Sequence, residues 1–504
     1  MKLPLSEYPG MNRFVLDWLA GDERFLPRAN AGRNAQPRAK NLAVRAELAR
    51  AIEAQNRGWG IMAGDQLAQW ARGETLTVIA GQQVGFAGGP LYTLAKAATL
   101  VRLKRDLAKQ GIVVTPFFWL ATEDHDFDEV ATLNLPVVTL DRAKEANRQV
   151  DLLCMRAVRS ADRRAMVGSL PLPETLVSEL LSLYDFERPS WLRSGITFRD
   201  SFAELFASIF GSELILVDAL LPELRRAGAP LFDRIRAESA TIQQALHARA
   251  AELESAGYRE QVIAREGNEY TLLFEIDEHG HRTPSMQPAA AERTSTSALT
   301  RPLLQDSVLE PDIFIGGPAE VAYYAQISPL HKLLDVPLPR VGLRGHALVV
   351  PERTARTFER YDLAPVDVFR DVDGLLAERE LEAVAAIQAL VEEGRQELLS
   401  RIEKIGELAL PADHSLAGSI ERSVGHLEYH FAKLGERAVR AVARKDRDRR
   451  NAVSSLVATL HPDGHVQDRV VSWFALWLRY GNAMVEQVIE EVEPDANVFT
   501  IVQV

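Results

Sequence analysis

The sequence predicts an α/β protein with a parallel-sheet core, followed by two long antiparallel helices of coiled-coil type. Three observations carry this reading. First, Thr75–Ala80 is a short apolar run rich in β-branched residues, as in a buried strand. Gly81, Gly85, Gly88 and Gly89 follow it, and Leu91, Leu94, Ala98 and Val101 then recur at helical spacing. Second, another apolar run, Ile112–Ala121, follows that helix, and strand, helix, strand in this order builds a βαβ unit with parallel strands. Third, Ile420, Val424, Leu427, Phe431, Leu434 and Ala438 step alternately by four and three, the seam of a coiled coil.

Composition sets the bounds. A chain of 504 residues supports a large core and more than one domain. A net charge of −12 argues against non-specific binding to nucleic acid or to an anionic membrane. The single cysteine, Cys154, rules out a disulfide framework and is compatible with a reducing compartment. Its segment, DLLCMRAV, reads as strand or core, with the thiol as a small hydrophobe. The opening residues, MKLPLSEYPGMNRF, contain no apolar signal region, and no apolar run approaches the roughly 20 residues that span a bilayer. A cytoplasmic location is expected, with neither nucleic acid nor membrane as partner.

Along the chain, residues 1–74 read mostly as helix, in Asn12–Ala20 and Asn41–Ala71, around the polar loop PRANAGRNAQPRAK. Residues 75–372 form the core, with insertions near 131–200 and 222–300. Pro116 removes a ladder donor from the second strand, which predicts an irregular stretch or a sheet edge. Glu213–Val217 is a further strand ending at Asp218. Tyr258–Ala264 and Tyr270–Ile276 read as a β-hairpin, and the polar tract His279–Ser297 as a mobile loop. Ile313–Ile315, GGPAE and Val321–Leu334 repeat the order of strand, glycine turn and helix, and Pro337–Pro351 closes the core. Residues 373–456 form the helical hairpin: a stripe of Val384, Ile387, Val391, Leu398, Ile402 and Ile405, a break at Pro411–His414, then the seam above. Residues 457–504 return to globular character and are expected to pack on the core.

Ligands of open α/β sheets sit at the carboxyl ends of strands. The glycine loop and the acidic segment TEDHDFDE, Thr122–Glu129, therefore open on the same sheet edge. The loop is neither a G-x-G-x-x-G fingerprint nor a Walker A loop, and its spacing alone equally fits a tight turn that binds nothing. Gln82 and Gln83 favour a site, because a turn does not need side-chain amides and a polar ligand does. Pro90 suits the first turn of a helix whose N-terminal N–H groups would hold phosphate or carboxylate. Lys96, about one and a half turns further on, either reaches back to the loop or is a plain exposed lysine. His125 stands among Glu123, Asp124, Asp126 and Asp128, which would raise and orient an imidazole for proton transfer or hold Mg²⁺. The competing reading is an acidic loop that caps a helix. A second cluster comprises Arg301 and Gln305 in TRPLLQD, with Gly316, Gly317, Glu320 and Tyr323 in GGPAEVAYY. Its arginine suits a carboxylate; the alternative is a structural turn and a helix face. His426 and His430 lie one helical turn apart with no third ligand, and no zinc motif occurs.

GQQVGFAGGPLYTLAK together with FFWLATEDHDFDEV resembles the bacillithiol biosynthesis family BshC. LTRPLLQD (Leu299–Asp306), FIGGPAEVAYYAQ (Phe314–Gln326) and PDGHVQDR (Pro462–Arg469) look like the same family in the same order, from about residue 75 to the C-terminus. Val84 stands where the family pattern has Pro, and Asp468 where it has Glu. The resemblance implies a Rossmann-like core with connecting-peptide insertions and a coiled coil that supports a homodimer. It also implies a ligase joining the carboxyl of cysteine to the amine of glucosaminyl-malate. A carboxylate must be activated before it forms an amide, as an acyl phosphate or acyl adenylate, so ATP is the implied co-substrate, with Mg²⁺ beside it. Proton transfer then falls to His125 with Asp124 and Asp126. Binding of substrate or nucleotide falls to Gly81, Gln82, Gln83, Gly85, Gly88, Gly89, Tyr92 and Lys96, and to Arg301, Gln305, Gly316, Gly317, Glu320 and Tyr323. Glu123 and Asp128 are the candidate Mg²⁺ ligands. Two other readings compete: a different nucleotide-using enzyme on a nucleotidyltransferase-like core, and a scaffold that recruits partners through its coiled coil.

Overall fold

The computed structural model describes residues 1–29, 41–124, 130, 132–136, 152–156, 165–184, 186–262, 271–379, 381–443 and 447–504. Its strands, in chain order, are β1 (Lys2–Pro4), β2 (Leu76–Gln82), β3 (Val114–Leu120), β4 (Thr132–Pro136), β5 (Leu152–Arg156), β6 (Ile215–Asp218), β7 (Leu273–Ile276), β8 (Arg282–Pro284), β9 (Thr294–Thr296), β10 (Ile313–Gly316), β11 (Arg340–Leu343), β12 (His346–Val350) and β13 (Val498–Gln503).

The central sheet runs in the order β11-β10-β2-β3-β6, with every pair parallel. Parallel sheets are covered on both faces, which is why β2 and β3 read as continuous apolar runs. Alternate residues of β3 meet two aromatic clusters. Phe117 packs edge-on to Trp70 at 5.1 Å, while Phe118 packs on Phe202 and Phe206 at 6.3 and 5.1 Å. The Leu91–Ala108 helix connects β2 to β3 and packs on both strands. The expectation for Pro116 holds only locally: β3 lies between β2 and β6, inside the sheet, but at the proline it is paired with β2 alone. The ladder to β6 begins at Phe117↔Ile215, one residue past the proline, so the missing N–H precedes that ladder.

Two further differences have physical causes. The N-terminal segment opens with β1, which pairs antiparallel with β13, itself parallel to β12. Three residues are too few to show an alternation, and the strand exists because β13 offers it an edge. The hairpin expected around REGNE is also replaced. Residues 258–262 form no strand, the rest of that loop lies outside the described residues, and β7 pairs instead with β8 and β9. The tract expected to be a mobile loop thus supplies two strands. Arg282 makes this possible: its guanidinium stacks 4.2 Å over the Phe274 ring and donates to Thr296 O, so a charged residue is buried where a hydropathy pattern shows none. In the first insertion, β4 and β5 pair antiparallel, with Cys154 opposite Asn134.

The chain divides into two compact units. One contains Met1–Val138, Asp151–Val350 and His465–Val504; the other is formed by Pro351–Gly464. Within the second, Leu381–Ala409 and Ala417–Ala443 are helices joined through the short turn His414–Leu416. Their pairing is antiparallel. A Cβ on Gly406 would meet Ile420 at 3.7 Å, one on Gly394 would meet Phe431 at 3.1 Å, and one on Gly435 would meet Val391 at 3.5 Å. Among the described residues, no helix is long and apolar enough to cross a membrane.

Candidate active-site cavity

The carboxyl ends of β2, β3, β10 and β11 surround a cavity of about 280 Å³ in the first unit. Its wall brings together Gly81, Gln82, Gln83, Tyr92 and Lys96 from the first glycine unit, Arg301 and Gln305 from TRPLLQD, and Gly317, Glu320 and Tyr323 from the second glycine unit. Segments far apart in sequence meet because both units end their strands at the same sheet edge.

Lys96 ties the two units together. Its ammonium donates to Gly81 O at 2.8 Å and Gln82 Oε1 at 2.7 Å, and pairs with Glu320 Oε2 at 2.5 Å. Glu320 also accepts from Gly317 N at 2.7 Å, closing the turn that starts its helix. Lys96 is 4 % exposed, so the plain surface-lysine reading fails: the side chain lies inward from a helix face that is buried against the sheet.

The remaining glycines have a different part. Gly88 adopts φ +79, and a Cβ there would lie 2.5 Å from Trp473, whose indole N–H donates to Gly88 O. Gly85 and Gly89 border a small neighbouring pocket with Gln82, Gln83, Tyr92 and Thr93. Gly316 lies at the end of β10, where its carbonyl accepts from Arg344 N. Pro90 is the N-cap, with extended backbone, and the helix begins at Leu91. Leu91 N–H donates to Val471 O and Thr93 N–H to Pro90 O, so these two N–H groups are engaged within the protein and not available to a phosphate.

Of the acidic segment, His125, Asp126 and Asp128 lie outside the described residues. Asp124 Oδ2 pairs with Arg301 Nη1 at 2.8 Å. Burial opposes the Arg301 charge, and Asp124 outweighs it, so the guanidinium is held firmly protonated. Glu123 points elsewhere and is 1 % exposed. Its carboxylate accepts from Arg225 Nη1 at 2.9 Å, Ser295 Oγ at 2.6 Å and Thr296 Oγ1 at 2.7 Å. Burial would raise its carboxyl; Arg225 and Arg282 more than offset that and keep it ionised. The expectation that Glu123 binds Mg²⁺ does not fit this geometry, because Oε2 is engaged by Arg225 and Ser295 and Oε1 by Thr296. Among the described residues, no group of three or more His, Cys, Asp and Glu is arranged to hold a metal ion.

Gln305 belongs to a buried network behind the wall. Its amide donates to Asp306 Oδ1 at 3.1 Å, and Asp306 also meets His331 Nε2 at 2.9 Å and Tyr324 Oη at 3.2 Å. Burial lifts the Asp306 carboxyl, against the opposing pull of His331. Burial likewise raises the Tyr323 phenol, and its hydroxyl is buried with no partner in the protein. Gln83 Oε1 and Trp119 Nε1, both on the cavity wall, are also buried without partners. Buried polar atoms of this kind are normally satisfied, so a cluster around one cavity is the mark of a polar ligand site.

Sequence reasoning missed Tyr8, Trp119, Tyr324, Arg344, His346, Asp468 and Arg469, which line the same cavity. A signal existed for some. Arg344 and His346 interrupt the apolar run VGLRGHALVV at a strand end, and Asp468 and Arg469 belong to the PDGHVQDR motif. Tyr8 arrives from the N-terminal segment, with nothing in its local sequence to announce it.

A parallel sheet with a polar ligand cavity at its strand ends, in one chain with an antiparallel coiled-coil hairpin, defines a Rossmann-like α/β protein with a helical domain. Residues 22–286 and 285–345 match the family model "Bacillithiol biosynthesis BshC, N-terminal Rossmann-like domain", and residues 347–504 match "Bacillithiol biosynthesis BshC, C-terminal coiled-coil domain". The chain belongs to this BshC family. A relative from Koribacter versatilis, named "Putative cysteine ligase BshC", is 31% identical over 97% of both chains. Relatives of the same name from Solibacter usitatus and Heliobacterium modesticaldum are 28% and 27% identical, covering 89% and 88% of this chain and 87% and 88% of theirs. The stretch from His465 onward falls within the second family model, yet it belongs to the first compact unit and supplies the cavity with Asp468 and Arg469.

Proposed function

We propose that the protein is a cysteine ligase of bacillithiol biosynthesis, adding cysteine through its carboxyl to the amine of glucosaminyl-malate in the cytoplasm. The observation that carries this reading is the meeting of five separate motifs on one cavity, in a chain similar along its length to relatives named as cysteine ligases. Arg301, Arg344 and Arg469 give the cavity a cationic wall suited to the carboxylates of malate and cysteine. Gln83 and Tyr323 contribute unengaged polar groups that would orient the substrate. A volume of about 280 Å³ lies near the lower end of small-ligand sites, roughly 300–1,000 Å³, and suits the reacting ends of two compact polar substrates.

ATP is the proposed co-substrate, supplying the phosphoryl or adenylyl group that activates the carboxyl. Mg²⁺ would accompany it; Glu123 does not fit as its ligand, and Asp128, the other candidate, lies outside the described residues. His125 is proposed for proton transfer, a role that an active His125→Ala protein would remove. We also assign homodimer contacts to the helical hairpin, which leaves Leu390, Ile405, Leu408, Leu416, Tyr429 and Leu434 exposed. The deciding experiment is mass spectrometry of the purified protein with ATP, Mg²⁺, cysteine and glucosaminyl-malate. Bacillithiol formed in step with AMP or ADP is expected. Absence of product with ATP unconsumed would overturn the reading.

A further inference from the structure

The cavity wall contains an aspartate–histidine pair to which the reading above gives no role. Asp468 Oδ2 lies 2.8 Å from Arg344 Nη2 and 3.4 Å from His346 Nδ1. The three side chains are at most 4 % exposed. Two further atoms of the pair, His346 Nε2 and Asp468 Oδ1, are buried with no partner in the protein, and both residues line the cavity. The Phe499 ring stands edge-on to the imidazole at 5.1 Å and restricts its tilt. A carboxylate that accepts from Nδ1–H selects the tautomer in which Nε2 carries a lone pair. A contact of 3.4 Å is long for such a bond, and contacts of this kind tighten when substrate binds.

We propose that His346, in place of the His125 candidate, which lies outside the described residues, is the proton acceptor for the amine that attacks the activated carboxyl, and that Asp468 is the positioning residue holding its ring. This rests on the ligase reading. The amine nitrogen forms the new C–N bond with its lone pair. The bond from the carboxyl carbon to the phosphoryl or adenylyl oxygen breaks, and that oxygen leaves with the electron pair as phosphate or AMP. The proton shed by nitrogen passes to His346 Nε2, and the imidazolium is balanced by Asp468.

The charges around the ring keep it neutral in the resting protein. Burial and Arg344 push the imidazole down to about 4, against Asp468, with Arg469 a further cation pushing the same way. The resting ring is therefore neutral at physiological pH, with its lone pair available. Asp468 stays ionised: burial would raise it, and Arg344 and His346 hold it below the usual carboxylate range. Lys96 and Glu320 are the other charges on the same wall, and they are paired with each other.

Two measurements test the proposal. Selective ¹⁵N-histidine NMR of the full chain, with His346→Gln for assignment, reads the ring directly and does not depend on activity. A neutral Nδ1–H tautomer at pH 7 is expected; an Nε2–H tautomer or an imidazolium overturns the proposal. In the ligase assay, His346→Gln is expected to lower kcat by about 10²–10⁴-fold with little change in KM, and imidazole to restore part of the rate of His346→Ala. Asp468→Glu, which keeps the carboxylate, should retain more of kcat than Asp468→Asn. Full kcat in His346→Gln while His125→Ala is inactive would overturn this step alone. A wild-type protein that makes no bacillithiol would overturn the ligase reading, and this step with it.

Discussion

Lys96 Nζ and Glu320 Oε2 lie 2.5 Å apart, an ion pair linking the helices that follow the two glycine turns. The lysine side chain is 5 % exposed and the glutamate side chain 35 %. Removing the lysine leaves Gly81 O and Gln82 Oε1 short of a buried donor, whereas removing the glutamate leaves Lys96 two oxygen partners. Lys96→Met is therefore expected to destabilise the protein by about 1–3 kcal/mol and to lower kcat/KM more than Glu320→Gln does. Urea denaturation of both variants and the double variant gives the coupling; a coupling indistinguishable from zero would show that the pair does not hold the units in register.

Glu123 and Arg225 form a fully buried pair, so Glu123→Gln leaves a guanidinium without its countercharge. A loss of about 3–5 kcal/mol is expected in chemical denaturation. Mg²⁺ binding, followed by calorimetry with ATP present, should be unchanged in the folded variant. A variant of native stability that loses Mg²⁺ affinity would restore the metal-ligand role.

The neutral state of His346 makes stability depend on pH. Its imidazole falls from 6.5 to about 4 on folding, with burial and Arg344 as the cause. Between these values the unfolded chain binds a proton that the folded protein does not, so stability rises with pH across this window and is lost as pH falls from 6.5 toward 4. At about 1.4 kcal/mol per pH unit, the wild type loses about 3 kcal/mol that His346→Gln does not lose. Asp468 acts in the same direction at lower pH: its depressed carboxyl stabilises the fold above its unfolded value and ceases to do so as pH falls through its folded value. Urea midpoints at pH 4 and pH 7.5 for wild type and His346→Gln measure the difference, and equal pH sensitivity would contradict a buried neutral imidazole.

Arg301→Lys keeps the charge but loses the planar fork that meets Asp124 at 2.8 Å. KM for the anionic substrate is expected to rise about tenfold or more, with stability changed by about 1 kcal/mol or less, since the pair is partly exposed. An unchanged KM would separate this arginine from substrate binding.

If the hairpin forms the dimer, a charge on its exposed apolar positions should break it. Leu408 and Leu434 are 83 % and 57 % exposed, so neither Leu408→Glu nor Leu434→Glu disturbs a core within the chain. Light scattering should report a monomer for the double variant and a dimer for wild type, with equal helix content. A dimer that survives the substitutions would place the interface elsewhere.

The two glycine units, the parallel direction of their strands and the antiparallel hairpin were legible in the sequence. Each is written in local periodicity: apolar runs of strand length, glycine where the chain must turn, and a four-three apolar step on long helices. The shared sheet edge of β2 and β3 followed from topology, whereas the second glycine unit and TRPLLQD read as a separate cluster until β10 is placed beside β2. Local pattern was misleading where a long-range partner decided the outcome. Pro116 reads as part of an edge strand, yet β3 is an interior strand that is paired with β2 alone at the proline. Arg282 looks like a loop residue until Phe274 lies beneath it.

The tertiary structure alone decided which polar groups face the cavity and which are used up inside the protein. Glu123 and Asp124 are adjacent in the chain, yet one is sealed against Arg225 and the other meets Arg301 at the cavity wall. Lys96 reads as a surface lysine on its helix and is buried by the neighbouring glycine unit. His346 and Asp468 are 122 positions apart and meet at 3.4 Å. The reason is general: periodicity records which face of an element is apolar, whereas the partner of a buried charge is set by distances between elements, which no local pattern contains.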